Sequence, residues 1–151
     1  LALPVPLDGL AARTLYEEDF TLAVPAQNAL AKKSSVKLDD LTGETLLLLE
    51  DGHCLRDQAL DVCSRLDIRE SDDYRATSLE TLRQMVAAGL GITLLPELAT
   101  RGPFGSGQGL VVKPFTRPVP TRSVGAVWRK SSARTEAIGA ICDVIHASTD
   151  A

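Results

Sequence analysis

The sequence predicts an α/β fold with a largely parallel sheet. Three observations carry this: residues 45–49 and 91–95 are apolar enough for strands buried on both faces, residues 55–66 and 79–90 space apolar side chains at helical intervals, and strand-like segments alternate with helix-like ones. In such folds ligand sites gather where strands end, which draws attention to the loop Glu50-Asp51-Gly52-His53 after residues 45–49.

The elements follow in order. Residues 1–5 are apolar with no polar lead-in or cap, and are read as a strand entered part-way through a domain. Residues 13–16 and 20–25 are two β-like runs with an acidic turn, Glu17-Glu18-Asp19, between them. Leu22-Ala23-Val24 is read as a strand leaving one lobe for another. Leu38, Leu41 and Gly43 form a short helical turn before the strand at 45–49. Asp51-Gly52 opens an amphipathic helix whose apolar residues are Leu55, Ala59, Val62, Cys63 and Leu66.

Thr77 and Glu80 fit a capping box for a second helix, with Leu79, Leu82, Val86 and Leu90 near one stripe and Gly89 at its C-terminal cap. A buried strand at 91–95 is stopped by Pro96. Residues 101–109 are an exposed Gly- and Pro-rich loop, 110–112 a short strand, and 117–120 an extended link. One more strand at 123–128 and a closing helix at 134–146 complete the pattern.

Composition narrows the function classes. The 151 residues hold one ordinary domain or two small lobes, and a net charge of −4 argues against a phosphate-binding surface. Any DNA-reading part is therefore expected outside this chain. No apolar run approaches the roughly 20 residues that cross a bilayer, and the opening run is too short and Pro-broken for a signal peptide, so a cytoplasmic chain with no membrane partner is expected. Three cysteines, Cys54, Cys63 and Cys142, are an odd count in a chain large enough to fold without staples.

Cys54 stands between a buried strand and a helix, where free amides and the positive end of the helix dipole favour thiolate. His53 and Arg56 add cationic or donor groups, and Arg56 is placed to polarise a departing hydroxide; Asp57 is the expected partner that holds one of the two. A thiolate there attacks a peroxide oxygen, giving a sulfenic acid that a second thiol converts to a disulfide. The plainer alternative, a cysteine serving as a small hydrophobe, stays open for Cys54 and more so for Cys63, which falls on the apolar stripe beside Val62.

Nine residues on one helix separate two side chains by roughly 13 Å and about half a turn, whereas a disulfide needs Cα atoms within about 7 Å. Bonding of Cys54 to Cys63 therefore demands that the helix unwind or swing. Cys142 and His146 share a helix face, but with no third ligand nearby they are read as a core cysteine and a solvated histidine; no metal and no cofactor is expected. Gly89-Leu90-Gly91 follows a helix, where a dinucleotide site needs glycines after a strand.

The run Leu49-Glu50-Asp51-Gly52-His53-Cys54-Leu55-Arg56-Asp57-Gln58-Ala59-Leu60, with Cys63, resembles the redox loop of the hydrogen-peroxide-sensing regulators of the LysR type. Arg75-Ala76-Thr77-Ser78-Leu79-Glu80-Thr81-Leu82 resembles the same regulators, and the stretch Met85 to Pro96 carries a Gly-x-Gly-Ile-x-Leu-Leu-Pro core common to LysR-type effector domains. The resemblance spans nearly the whole chain.

It implies a periplasmic-binding-protein-like (type 2) effector domain of two α/β lobes joined by crossover strands, with the first lobe incomplete. Residues 1–21 are then a remnant of lobe I, 22–123 are lobe II with the redox loop, and 124–151 are the return segment of lobe I, the winged-helix DNA reader being absent. It further implies a peroxidatic Cys54 and a resolving Cys63, supported by His53, Arg56 and Asp57. The implied partners are hydrogen peroxide, further copies of the chain as dimer or tetramer, a thiol reductant such as glutaredoxin or thioredoxin, and, in a full-length protein, DNA and RNA polymerase. A transcription activator responding to oxidative stress, not an enzyme, is the expectation. The rivals are a thiol peroxidase using the same two sulfurs and a LysR-type domain that senses a small organic effector.

Overall fold

The computed structural model describes residues 1–64, 66–101 and 109–149. Most of the loop expected at 101–109 thus lies outside the described residues. Contacts divide the chain into two units, Leu1–Glu18 with Thr121–Ala151, and Asp19–Pro120.

In the first unit β1 (Ala2–Leu3) pairs antiparallel with β7 (Thr121–Arg129), which lies beside the first half of β2 (Leu10–Pro25). Helix α3 (Thr135–Thr149) buries Cys142 and is tied to β2 by Arg13–Asp143 and by His146 Nδ1, 2.6 Å from the Leu15 carbonyl. Gly125 is required here, because a Cβ would sit 2.5 Å from Leu3 Cδ1 and 2.9 Å from the Arg13 carbonyl oxygen.

The two β-runs expected at 13–16 and 20–25 are one continuous strand, and the acidic turn between them does not exist. Two of its three acids have partners on β7: Arg122 donates from Nε to Glu18 Oε2 at 2.8 Å, and Ser123 Oγ donates to Glu17 Oε1. With Glu18 buried and neutralised, three consecutive acids extend the strand instead of bending it.

In the second unit the rest of β2 pairs antiparallel with β5 (Thr93–Pro96) and with β6 (Leu110–Pro114). The parallel part is the βαβαβ run: β3 (Thr45–Leu49), α1 (Cys54–Cys63), β4 (Arg69–Ala76), α2 (Leu79–Ala87), then β5. β3 pairs parallel with β4, and Leu46 bridges Ile92 in parallel sense. Where a largely parallel sheet was expected, the parallel β3–β4 pair forms a two-stranded sheet of its own, while β2 pairs antiparallel with β5 and β6 in a five-stranded one; β3 and β4 are joined by a helical crossover, and β2 is reached by none. The core packs β3 and β5 (Leu46, Leu47, Leu48, Leu94, Leu95) against Leu55, Ala59 and Cys63 of α1 and Leu82 and Val86 of α2.

Helix α2 starts one residue later than the sequence indicates. Ser78 is the cap, its Oγ accepting from the Thr81 amide at 3.1 Å, while Glu80 accepts from Gln84 Nε2. Its end is as expected: Gly89 has φ +83°, its amide donates to the Val86 carbonyl, and the Leu90 amide donates to Met85. That turn carries Leu90 off the apolar stripe and leaves it exposed.

Candidate functional site

Cys54 is the first residue of α1, five positions beyond the end of β3. The connecting loop is fixed by backbone bonds at both ends: the Glu50 amide donates to the Ala76 carbonyl at 3.0 Å, and the Arg56 amide donates to the His53 carbonyl at 2.9 Å. Gly52 adopts φ +91°, a conformation a β-carbon disfavours, and so makes the turn into the helix. His53 is the N-cap residue, yet its side chain makes no capping bond. The first amides of α1 are thus left without a side-chain acceptor from the cap, beside an exposed thiol.

Cys63 closes the same helix and is buried at 3% exposure in the core with Leu55 and Ala59. These three residues recur every fourth position, so they line the face that packs on β3. Burial pushes the Cys63 thiol up from 9.0 to about 11, so the sulfur is held protonated at neutral pH. All three cysteines are free thiols. The ten-residue helix separates its two cysteines by roughly 13 Å of rise, one facing solvent and the other the core.

Arg56 lies in the first turn with its side chain only 12% exposed. Its Nε donates to Asp51 Oδ1 at 2.7 Å and its Nη2 lies 3.6 Å from Glu70 Oε2 on β4. Its Nη1 is buried without a hydrogen-bond partner. Asp57, the carboxylate expected to hold Arg56 or His53, is exposed on the residue after Arg56, and neighbours in a helix point about 100° apart, so it does not meet Arg56. Asp51 and Glu70 were missed for different reasons. Asp51 precedes the helix and was read only as a turn residue; Glu70 sits on β4, whose polar sequence RESDDYRA carries no strand signal.

Cys142 is buried and His146 has one ring nitrogen at the Leu15 carbonyl. Among the described residues no group of three His, Cys, Asp or Glu is arranged to hold a metal ion. No helix among them is long and apolar enough to cross a membrane.

The arrangement matches known proteins closely. Residues 1–150 match the LysR substrate binding domain family. The Escherichia coli (strain K12) "DNA-binding transcriptional dual regulator OxyR" is 45% identical over 136 residues, which is 90% of this chain and 44% of that protein. A structure described as the oxidized form of OxyR superposes with a TM-score of 0.84 at 43% identity, covering 99% of this chain and 70% of that one. The Corynebacterium glutamicum OxyR C206S mutant, H2O2-bound, gives a TM-score of 0.88 at 35% identity, covering 99% of this chain and 48% of that one. The chain spans less than half the length of the E. coli relative. On this match of sequence, fold and extent, the chain belongs to the LysR substrate binding domain family, in its OxyR-like branch.

Proposed function

We propose that this chain is the peroxide-sensing regulatory domain of a LysR-type transcription regulator, with Cys54 peroxidatic and Cys63 resolving. The observation that carries the reading is the placement of an exposed thiol at the first position of α1 and a buried, protonated one at the last. The Cys54 thiolate attacks one peroxide oxygen: an S–O bond forms, the O–O bond breaks, and the departing hydroxide takes up the equivalent of the proton that the thiol released on ionising, so water is the product. Cys63 then gives up its proton and attacks the sulfenic sulfur, forming the S–S bond as the S–O bond breaks and water departs.

Order is built into this sequence of steps. While α1 is intact the Cys63 thiol is buried and a poor nucleophile, so closure waits for the helix to open. His53 and the uncapped amides of α1 support the thiolate, Arg56 orders the first turn, and Asp57 adds an exposed negative charge beside it.

The first unit is lobe I and the second lobe II, and refolding of α1 is the packing change that alters how copies of the regulator dock and engage DNA. The peroxide response comes to this reading from the C. glutamicum structure, and the transcriptional role from the E. coli relative. A cytoplasmic location, a small thiol protein as reductant, DNA and RNA polymerase as partners of a longer chain, and no catalytic turnover belong to the same reading.

The test is mass analysis of the peptide spanning both thiols before and after one equivalent of hydrogen peroxide. The expected product has lost two hydrogens, and Cys63→Ser stops at the sulfenic acid. A regulator carrying Cys54→Ser that still answers peroxide would overturn the reading and favour a small-effector sensor.

A further inference from the structure

Building on the redox reading above, we propose that Glu70 is a positioning residue for disulfide closure: through Arg56 it holds the first turn of α1 on β4 and so keeps the two sulfurs apart. Neither residue bonds to a sulfur. Arg56 follows Cys54 by two residues, and its guanidinium meets two carboxylates, Asp51 in the preceding loop and Glu70 on β4. Asp51 is 86% exposed and belongs to the adjoining loop, so its bond moves with the helix start. Glu70 belongs to a different element, and the Arg56–Glu70 ion pair ties α1 to the strand.

The setting makes that tie matter more than a surface pair. Arg56 is 12% exposed and its Nη1 is buried without a partner, so the charge is largely out of water and depends on the carboxylates it has. Closing the disulfide requires Cα atoms within about 7 Å, and the helix holds them roughly 13 Å apart. Unwinding the first turn to bring Cys54 towards Cys63 draws Arg56 off Glu70. The ion pair therefore opposes the second step, attack of the Cys63 sulfur on the Cys54 sulfenic acid with loss of water. It leaves the first step, attack of the Cys54 thiolate on peroxide, untouched.

The experiment separates the two steps in the chain with its three cysteines. Glu70→Gln keeps the volume and removes the charge, and with Glu70 39% exposed the substitution is tolerated sterically. Expected is a rate of disulfide closure after peroxide about fivefold above the parent chain, with the dithiol–disulfide equilibrium against a glutathione buffer shifted towards disulfide by a similar factor. The rate of sulfenic acid formation, read in a Cys63→Ser background, is unchanged. Glu70→Asp keeps the charge and restores most of the parent rate. In an Arg56→Gln background Glu70→Gln has no further effect, which a general loosening of the fold does not predict. Closure at the parent rate in Glu70→Gln, or an equal effect with and without Arg56, overturns this inference alone. Absence of any Cys54–Cys63 disulfide in the parent chain overturns the redox reading beneath it.

Discussion

Glu18 and Arg122 form an ion pair across β2 and β7 with an N–O distance of 2.6 Å, and the Glu18 side chain is 3% exposed. A carboxylate so removed from water is tolerated only with its counter-charge beside it. Removing one partner leaves the other charge uncompensated in a poorly solvated place. Glu18→Ala is expected to lower stability by about 3 kcal/mol, measured as a fall in the urea midpoint. Glu18→Gln, which keeps an acceptor for Arg122, loses less. Equal midpoints for parent and Glu18→Ala would show the pair to be irrelevant to folding.

The same residues show where sequence reasoning stops. Glu17-Glu18-Asp19 looks like a turn because charges seldom sit inside a strand, and nothing local reveals that Arg122, a hundred residues away, neutralises Glu18 and that Ser123 donates to Glu17. β4 was hidden likewise: RESDDYRA lacks the apolar alternation of a half-buried strand and is held by its parallel ladder to β3. By contrast β3, α1 and β5 were legible, since Leu46 to Leu49 and Leu94-Leu95 are buried on both faces and Leu55, Ala59 and Cys63 repeat at helical spacing. The position of Cys54 followed from that order of elements, whereas the partners of Arg56 did not: Glu70 lies on a strand the pattern conceals, and Asp51 carries the signature of a turn residue.

The cap of α2 separates two neighbouring hydroxyls. Ser78 Oγ accepts from the Thr81 amide at 3.1 Å, while Thr77 precedes the cap. Ser78→Ala is expected to cost about 1 kcal/mol, and Thr77→Ala markedly less, both read from chemical denaturation. The reverse order would return the cap to Thr77.

Gly91 lies two residues before β5, packed closely against the backbone of β3. The Ile92 amide donates to the Thr45 carbonyl at 2.9 Å, and a Cβ on Gly91 would stand 2.5 Å from that same oxygen. The oxygen is backbone, so no rotamer change relieves the clash and the two segments must separate. Gly91→Ala is expected to destabilise by about 1 to 3 kcal/mol, with faster amide exchange at Leu47 and Ile92. An unchanged melting temperature would mean that the bridge between them is slack.

Burial of Cys63 gives stability a pH dependence of definite sign. Its thiol is raised in the folded chain from 9.0 to about 11. Below pH 9 folded and unfolded chains both keep the proton, and the contribution is complete. Between 9 and 11 the unfolded chain releases it first, so the unfolded state binds fewer protons and stability falls as pH rises. The loss is on the order of 3 kcal/mol. Cys63→Val removes this titration, so the difference in unfolding free energy between parent and variant must drift in the variant's favour across that window. A constant difference would mean that the thiol is solvated in the folded chain.

The three free thiols differ in what must happen before a reagent reaches them. Cys54 is exposed at the helix start and needs no opening, Cys63 is shut in the core of the second unit, and Cys142 is 1% exposed on the buried face of α3 in the first. A buried thiol reacts only in the fraction of time its element is open, and an opening free energy of roughly 3 kcal/mol slows labelling about 100-fold. Iodoacetamide is therefore expected to modify Cys54 about 100-fold faster than either of the others in the native chain, with the difference vanishing in urea. Cys63 and Cys142 belong to different units, so a substitution that loosens α1, such as Ala59→Gly, accelerates Cys63 and leaves Cys142 unchanged. Simultaneous acceleration of both would show that the chain opens as one body, in which case α1 does not melt on its own and the order of steps proposed for disulfide closure fails with it.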